Sequence, residues 1–150
     1  MRSVDSWLNE YGESHQNPTN KAIHWICVPL IVWTVTALIW EIPSPFSGVN
    51  WAVVMAVAAM VWYVALSPKL SIGIGLFLAG CLALNAWLES AVAAPLWLIA
   101  VAVFIAAWIG QFIGHHIEGK KPSFFKDLQF LLVGPAWLMG FVYRKAGWSY

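Results

Sequence analysis

Charge is scarce in this chain of 150 residues. Asp, Glu, Lys and Arg make up 10% of it and hydrophobic residues 61%, whereas an average soluble domain is about 25% charged. A soluble domain of this length could not hide so much apolar surface, because roughly a third of the surface of the chain stays exposed after folding. The composition therefore indicates a membrane protein. It also excludes disorder, which requires low hydrophobicity.

Three other features are missing. Lys and Arg number 8 against 7 Asp and Glu, so there is no basic excess for phosphates, and we expect no nucleic-acid partner. Only Cys27 and Cys81 are available, which is too few for a disulfide framework, and both are expected to pack as small apolar residues. The first 15 residues are polar, which is unlike a cleavable signal peptide.

Four stretches lack Asp, Glu, Lys and Arg and approach the ~20 apolar residues of a spanning helix. They cover about residues 22–40, 49–66, 70–88 and 96–114. Proline stands in the breaks between them and stops helices there. Asn17 followed by Pro18 is a typical helix start, with Asn17 as the N-cap. We therefore predict an all-α fold, a polytopic membrane helical bundle with four transmembrane helices, in which residues 1–150 form a single membrane domain.

The basic residues give this bundle an orientation. With four spans, every Lys and Arg falls on one side of the membrane, and the two opposite loops carry only Glu41 and Glu89. The positive-inside rule then places both termini in the cytoplasm. The compact length and the lack of a eukaryotic retention tail favour a bacterial inner membrane, and the endoplasmic reticulum is also compatible.

Two parts of the apolar sequence fall outside this simple pattern. Residues 128–143 are short for a span and are interrupted by Gly134-Pro135, so we predict a C-terminal interfacial or re-entrant segment. The alternative is a fifth, short span, which would put Arg144 and Lys145 on the outer side. Asn85 lies inside the third predicted span, where we expect it to form a hydrogen bond between helices.

The four histidines occur near two ends of predicted spans. His15 and His24 lie just before and at the start of the first span, and His115 and His116 lie at the end of the fourth. The topology brings these ends to the same side of the membrane, and helical bundles build metal sites from facing helices. His115 and His116 are adjacent and diverge by about 100° on a helix, so one of the two is expected to lie away from any shared ion.

Other polar residues accompany the histidines. Asn20 shares a helix face with His24, and Glu118 shares one with His115. These two residues and His116 are candidates for a further ligand or for support of the ligands. Lys120 and Lys121 could bind a substrate carboxylate or a lipid headgroup, although cytoplasmic flanks are often basic simply because they face anionic lipid.

Imidazole and carboxylate ligands suit iron, zinc, manganese or copper, and a set of two or three with open positions suits non-haem Fe(II) and oxygen chemistry. The alternative is that the histidines only anchor the protein at the membrane interface. Haem is less favoured, because there is no Cys-x-x-Cys-His attachment motif. The combination of four histidines with Asn20 and Glu118 favours a metal site.

Two stretches of the sequence are similar to motifs of a known family. The first runs from Tyr11 to Pro29 and contains His15, Asn20 and His24; the second is Gln111-Phe112-Ile113-Gly114-His115, continuing through Glu118 to Pro122. Together with the apolar spans, they resemble the small membrane-protein family whose fungal member is a 2-hydroxy fatty acid dioxygenase. The resemblance covers nearly the whole chain.

The resemblance implies an Fe(II)-dependent α-oxidation, in which a 2-hydroxy fatty acid loses its carboxyl carbon, O2 is consumed and a fatty acid one carbon shorter is formed. It also implies that His15, His24 and His115 are the catalytic metal ligands. The implied cofactor is Fe(II), and the implied partners are the 2-hydroxy fatty acid, O2 and membrane lipids. The alternatives are a non-catalytic membrane scaffold or lipid-binding bundle, and another single-metal enzyme that modifies lipids.

Overall fold

The computed structural model describes residues 3–120 and 130–150, which form six α-helices and no strand. In chain order these are α1 (Val4–Gly12), α2 (Pro18–Trp40), α3 (Trp51–Leu66), α4 (Pro68–Ala91), α5 (Leu96–Glu118) and α6 (Val133–Lys145). The all-α expectation is confirmed for this part of the chain. Each predicted span coincides with one of the helices α2 to α5, to within a few residues at either end.

Local sequence explains where these helices start. The side chain of Asn17 accepts hydrogen bonds from the backbone N–H groups of Thr19 and Asn20, and Pro18 occupies the first turn of α2. This is the start predicted from the sequence, because an N-cap oxygen satisfies N–H groups that have no partner within the helix. Ser67 ends α3 and caps α4, where its hydroxyl accepts from the N–H of Leu70.

Three of the helices, α2, α4 and α5, are long and apolar enough to cross a membrane, while α3 is apolar but has only 16 residues. At about 1.5 Å per residue α3 is about 24 Å long, shorter than a ~30 Å hydrocarbon core. Large apolar side chains also face outward, such as Leu76, 73% exposed, and Val61, 67% exposed. These features indicate a membrane protein with at least three candidate spans, and the count of four stays a prediction.

Side-chain contacts show how the helix ends are grouped. The C-terminus of α2 meets that of α4, where Nε1 of Trp40 donates to Oε2 of Glu89 at 3.2 Å. At the opposite end, the hydroxyl of Tyr63 in α3 donates to the backbone oxygen of Leu132, just before α6, at 2.7 Å. Helices that follow one another from α2 to α5 therefore alternate in direction, so that α2 and α4 are parallel. The short helices α1 and α6 pack at the end where α2 and α4 begin and α3 and α5 end.

The contact between α2 and α5 is the most extensive between any two helices in the described part of the chain, and two glycines lie in it. Gly110 and Gly114 are four residues apart on one face of α5. A Cβ on Gly110 would lie 2.6 Å from Sγ of Cys27, and one on Gly114 would overlap Oδ1 of Asn20. Small residues at this spacing let helix backbones approach each other closely. The approach brings the start of α2 next to the end of α5.

Asn85 links helices as expected. Its Oδ1 accepts from Nε1 of Trp33 at 2.8 Å, and its Nδ2 donates to Oγ1 of Thr36 at 3.2 Å, so both contacts join α4 to α2. All three residues are buried. Such bonds satisfy polar groups that would otherwise be desolvated without partners, and they fix the register between the helices.

The two short helices complete the end of the bundle opposite Trp40. Gly134-Pro135 was expected to interrupt the C-terminal segment, but the pair stands in the first turn of α6, where proline is tolerated because that N–H needs no helical partner. Residues 128 and 129 of the predicted segment lie outside the described residues. At 13 residues α6 is about 20 Å long, too short to span a membrane unaided. Its Trp137 packs with Leu8 and Tyr11 of α1 in the main apolar core.

Candidate metal centre

Three histidines from three segments meet at this end of the bundle. His15 follows α1, His24 lies in the second turn of α2, and His115 lies in the last turn of α5. One ring nitrogen from each lies within 4.8 Å of the others. The three side chains are buried, with exposures of 3%, 1% and 5%. The structure thus brings together the three histidines that the resemblance singled out, although they are up to 100 residues apart in the chain.

His15 is oriented by the end of α1. Its Nδ1 lies 2.5 Å from the backbone oxygen of Tyr11, and the Tyr11 ring stacks on the imidazole at a centroid distance of 4.3 Å. A carbonyl only accepts hydrogen bonds, so Nδ1 carries the proton and Nε2 keeps its lone pair. This Nε2 is buried and has no hydrogen-bond partner among the described residues. Burial is the main reason why the pKa of His15 falls from 6.5 to about 4, which keeps the ring neutral at pH 7.

His24 is also oriented by a backbone oxygen, in this case within α2. Its Nδ1 donates to the backbone oxygen of Asn20, one turn earlier, at 2.9 Å. The lone pair is therefore again on Nε2. The ring centroid of His24 lies 4.1 Å from that of His15 and 5.1 Å from that of His115. Two imidazoles held in the same tautomer by backbone carbonyls are typical of histidines that bind metal, because the bond at the second nitrogen fixes the ring orientation.

Glu118 joins the segments that carry the histidines. Its Oε1 accepts from the N–H of Gln16 at 2.8 Å, and its Oε2 accepts from the N–H of Asn17 at 2.8 Å and from Nδ2 of Asn20 at 3.1 Å. The carboxylate of α5 thereby holds the loop after His15 and the first turn of α2. Both oxygens of Glu118 are engaged in these contacts, which gives the residue a positioning role next to the histidines.

The other predicted polar residues are placed differently. Asn20 is fully buried beneath the cluster, and its Nδ2 also donates to the backbone oxygen of Ser14. His116 is exposed and does not join the three buried histidines. Lys120 is exposed and donates from Nζ to the backbone oxygen of Glu13 at 2.8 Å. Lys121 lies outside the described residues.

Two cavities adjoin this end of the bundle and share Val28 as a lining residue. The first has a volume of about 30 Å³, and the side chains around it include Tyr11, His24, Ile31, Trp108 and Gln111. The second has a volume of about 120 Å³ and is lined by apolar side chains from α2, α4 and α6, among them Trp25, Ile74, Phe77, Leu138 and Val142. The histidine cluster therefore has a small, partly polar space on one side, and an apolar space begins beyond Val28.

Two residues at the site had no role assigned from sequence. Tyr11 stacks on His15, and Gln111 lines the first cavity while only 8% exposed. Gln111 stands one turn before His115 and directly follows the apolar run of residues 96–110 in α5. A polar side chain at that position, on the face that carries a candidate ligand, is the signal that could have identified it, because polar groups at membrane depth are costly and usually functional.

Comparison with known proteins gives a family for this arrangement. A family model described as 2-hydroxy-palmitic acid dioxygenase Mpo1-like matches residues 1–146. The chain belongs to this family. It is also 27% identical over 141 residues to the 2-hydroxy-palmitic acid dioxygenase MPO1 of Saccharomyces cerevisiae, an alignment that covers 93% of this chain and 79% of the yeast protein. No solved structure matches the chain. The resemblance identified in the sequence is confirmed at the level of the family.

The donor set of this Mpo1-like chain is suited to a metal ion. Neutral imidazole is a good ligand for zinc, copper, iron and nickel. A buried nitrogen without a partner, such as Nε2 of His15, costs about 1–3 kcal/mol, and an ion shared with His24 and His115 would remove that cost. No carboxylate belongs to the cluster within residues 3–120 and 130–150. The candidate site is therefore a set of three imidazole nitrogens, which leaves coordination positions for other ligands.

Proposed function

We propose that this protein is a membrane-bound dioxygenase that shortens 2-hydroxy fatty acids by one carbon. Membership of the Mpo1-like family and the name of the yeast relative support this substrate class. The observation that carries the proposal is the buried cluster of His15, His24 and His115, with the lone pair of Nε2 of His15 unused. Buried imidazoles that converge in this way within a membrane bundle are suited to hold a metal ion for redox chemistry.

We further propose Fe(II) as the ion held by the three histidines. When bound, iron supplies O2 activation and Lewis acidity toward the oxygens of the substrate. The chain itself supplies the ligand tautomers, through the backbone oxygens of Tyr11 and Asn20. Glu118 on α5 binds the loop after His15 and the first turn of α2, and so keeps the three ligand-bearing segments together. Burial of the cluster excludes bulk water, which strengthens the electrostatic interactions there.

The two cavities correspond to the two parts of a fatty acid. The first cavity, next to His24, is small and partly polar and suits the carboxylate and the 2-hydroxyl group. The second cavity has an apolar lining and suits part of the acyl chain. The shared residue Val28 would then lie near the point where head and tail meet. The apolar exterior of the bundle lets such a substrate enter from the bilayer.

The proposed reaction balances without an external reductant. A 2-hydroxy acid and one O2 give the acid one carbon shorter, one CO2 and one water. The bond between the carboxyl carbon and the hydroxyl-bearing carbon breaks, and the hydroxyl-bearing carbon becomes the new carboxyl group. The substrate loses four electrons in this conversion, which is the number that O2 accepts when it is reduced fully. A reductase partner is therefore not required.

The test is product analysis on the purified protein in lipid nanodiscs with Fe(II), O2 and 2-hydroxypalmitate. We expect mass spectrometry to detect an acid one carbon shorter, dependent on both iron and O2. His115→Asn should abolish the product, and His116→Asn is the matched control, since His116 is the exposed neighbour. If His15→Asn, His24→Asn and His115→Asn all keep wild-type turnover at equal folded amounts, the proposed site is wrong.

The alternatives have different signatures in the same preparation. A scaffold or lipid-binding bundle would bind no metal, and its histidine variants would lose only stability. Another single-metal lipid enzyme would bind metal through the three histidines but leave 2-hydroxypalmitate intact. Reconstitution with Fe(II), Zn²⁺, Mn²⁺ and Cu²⁺ in parallel would show which ion supports product formation.

We also propose four spans, α2 to α5, with both termini and the histidine cluster on the cytoplasmic side of a bacterial inner membrane. Support comes from Lys21 at the start of α2, Lys69 at the start of α4 and Lys120 after α5, which all lie at the end where the histidines meet. Such residues favour the cytoplasmic face.

Cysteine labelling tests this topology. Gln16→Cys and Val92→Cys each place one exposed thiol at opposite ends of the bundle, in a background where the buried Cys27 and Cys81 are replaced by alanine. An impermeant reagent should label position 92 in intact spheroplasts, and position 16 only after lysis. Labelling of both positions from the same side would contradict the four-span topology.

A further inference from the structure

Gln111 is a buried polar residue that the histidine cluster does not use. Its side chain is 8% exposed and lines the same cavity as His24. Its Oε1 is buried and has no hydrogen-bond partner among the described residues. Buried polar atoms in folded proteins nearly always have a partner, and those that do not call for an explanation such as an absent ligand.

The cavity limits what that ligand can be. Its volume of about 30 Å³ exceeds the roughly 10–15 Å³ that one water requires, so it admits a small polar group and excludes a long chain. The atom without a partner is an amide oxygen, which only accepts hydrogen bonds. The ligand must therefore offer a hydrogen-bond donor, such as a hydroxyl group, and must also reach His24.

We propose that Gln111 binds the 2-hydroxyl group of the substrate through its Oε1 and so selects 2-hydroxy fatty acids over fatty acids without that hydroxyl. This inference rests on the proposed function and assigns a specificity-determining residue to its site. A neutral amide suits the task, because an anionic side chain in its place would repel the substrate carboxylate.

The physical basis of this selection is the cost of an unpaired acceptor. When palmitate occupies the cavity, Oε1 of Gln111 stays desolvated without a donor, whereas 2-hydroxypalmitate satisfies it. Sites that hydrogen-bond a substrate hydroxyl reject the analogue that lacks it, for this reason. A typical intramolecular hydrogen bond corresponds to a preference of about tenfold.

The test compares the binding of both acids to wild type and to Gln111→Met, which keeps an unbranched side chain of similar length without the amide. Binding is measured as displacement of a fluorescent fatty acid from the metal-loaded protein in nanodiscs. We expect the preference of wild type for 2-hydroxypalmitate over palmitate to fall by about tenfold in Gln111→Met, with palmitate affinity and metal content unchanged. Phe112→Met is the matched control, because Phe112 is the exposed neighbour on α5.

A thermal-unfolding measurement separates this role from a structural one. Removal of a buried polar atom without a partner should leave the ligand-free Gln111→Met as stable as wild type or more stable. A loss of stability, or a preference for 2-hydroxypalmitate equal to that of wild type, would overturn the inference while leaving the proposed function in place. If wild type shows no preference and forms no product, the proposed function and the inference fail together. A second variant, Gln111→Leu, gives the same comparison if the methionine variant does not fold.

Discussion

The close approach of α2 and α5 predicts a specific sensitivity at Gly114. A Cβ at this position would overlap Oδ1 of Asn20, the residue whose amide donates to Glu118 and to Ser14. Gly114→Ala should therefore push α2 away from α5 and displace the Asn20 side chain. Both effects act where His24 and His115 must stay close together.

The size of the effect follows from opposing contributions. Alanine favours a helix over glycine by about 1 kcal/mol. Overpacking costs about 1–3 kcal/mol, and each hydrogen bond of the displaced amide is worth about 0.5–1.5 kcal/mol. With both hydrogen bonds of the amide lost, the net loss is about 1–5 kcal/mol, which lowers the Tm of a protein of this size by roughly 2–20 °C.

A glycine elsewhere in the bundle provides the matched control. Gly80 lies in α4, and a Cβ there would meet nothing within 4 Å, so Gly80→Ala should leave stability unchanged or raise it by up to about 1 kcal/mol. The assay is thermal unfolding in one detergent, with metal content measured on the same samples. If Gly114→Ala is as stable and binds as much metal as Gly80→Ala, the packing argument is wrong.

Three further predictions concern the surroundings of the cluster. Glu118→Ala should lower metal affinity about tenfold in a metal titration, with Glu118→Gln intermediate and the exposed Glu13→Gln unaffected; equal affinities would contradict the positioning role. Because burial lowers the pKa of His15 to about 4, the unfolded chain takes up a proton there that the fold excludes. As the pH is lowered from 6.5 to 4, the free energy of unfolding of the metal-free protein should thus fall by up to about 3 kcal/mol, and it should fall less steeply in His15→Asn. If the free energy of unfolding depends on pH equally in both proteins, this prediction is wrong. Val142→Trp, which narrows the apolar cavity, should shift turnover toward shorter acids, whereas Val57→Trp on the exterior of α3 should not; identical chain-length profiles would exclude that cavity as the acyl site.

The long helices and the ends that carry the histidines could be predicted from composition and caps. Apolar runs, Asn17-Pro18 and the grouping of the basic residues are local signals that depend little on tertiary structure. The helix α1 was missed because its residues are largely polar on one face. Its Val4, Trp7, Leu8 and Tyr11 nevertheless follow helical spacing and pack into the core with Trp137.

The site itself could be predicted only in part. Helical spacing separated His115 from His116, and the structure places one buried and the other exposed. The contacts of Glu118 could not be predicted in this way. Its carboxylate binds backbone N–H groups some 100 residues earlier in the chain, and no local sequence pattern indicates such a contact. The GxxxG spacing of Gly110 and Gly114 is visible in the sequence. The side chains that pack against these glycines could not be predicted, because they depend on how α2 and α5 meet.

The central claim is that His15, His24 and His115 together hold one metal ion. The most direct measurement is the number of metal ions bound per chain, by mass spectrometry of metals in protein purified with Fe(II) under anaerobic conditions. We predict one ion per chain in wild type and in His116→Asn, and almost none in His15→Asn, His24→Asn or His115→Asn. Metal-free wild type, or full occupancy in any of the three single variants, would contradict the claim.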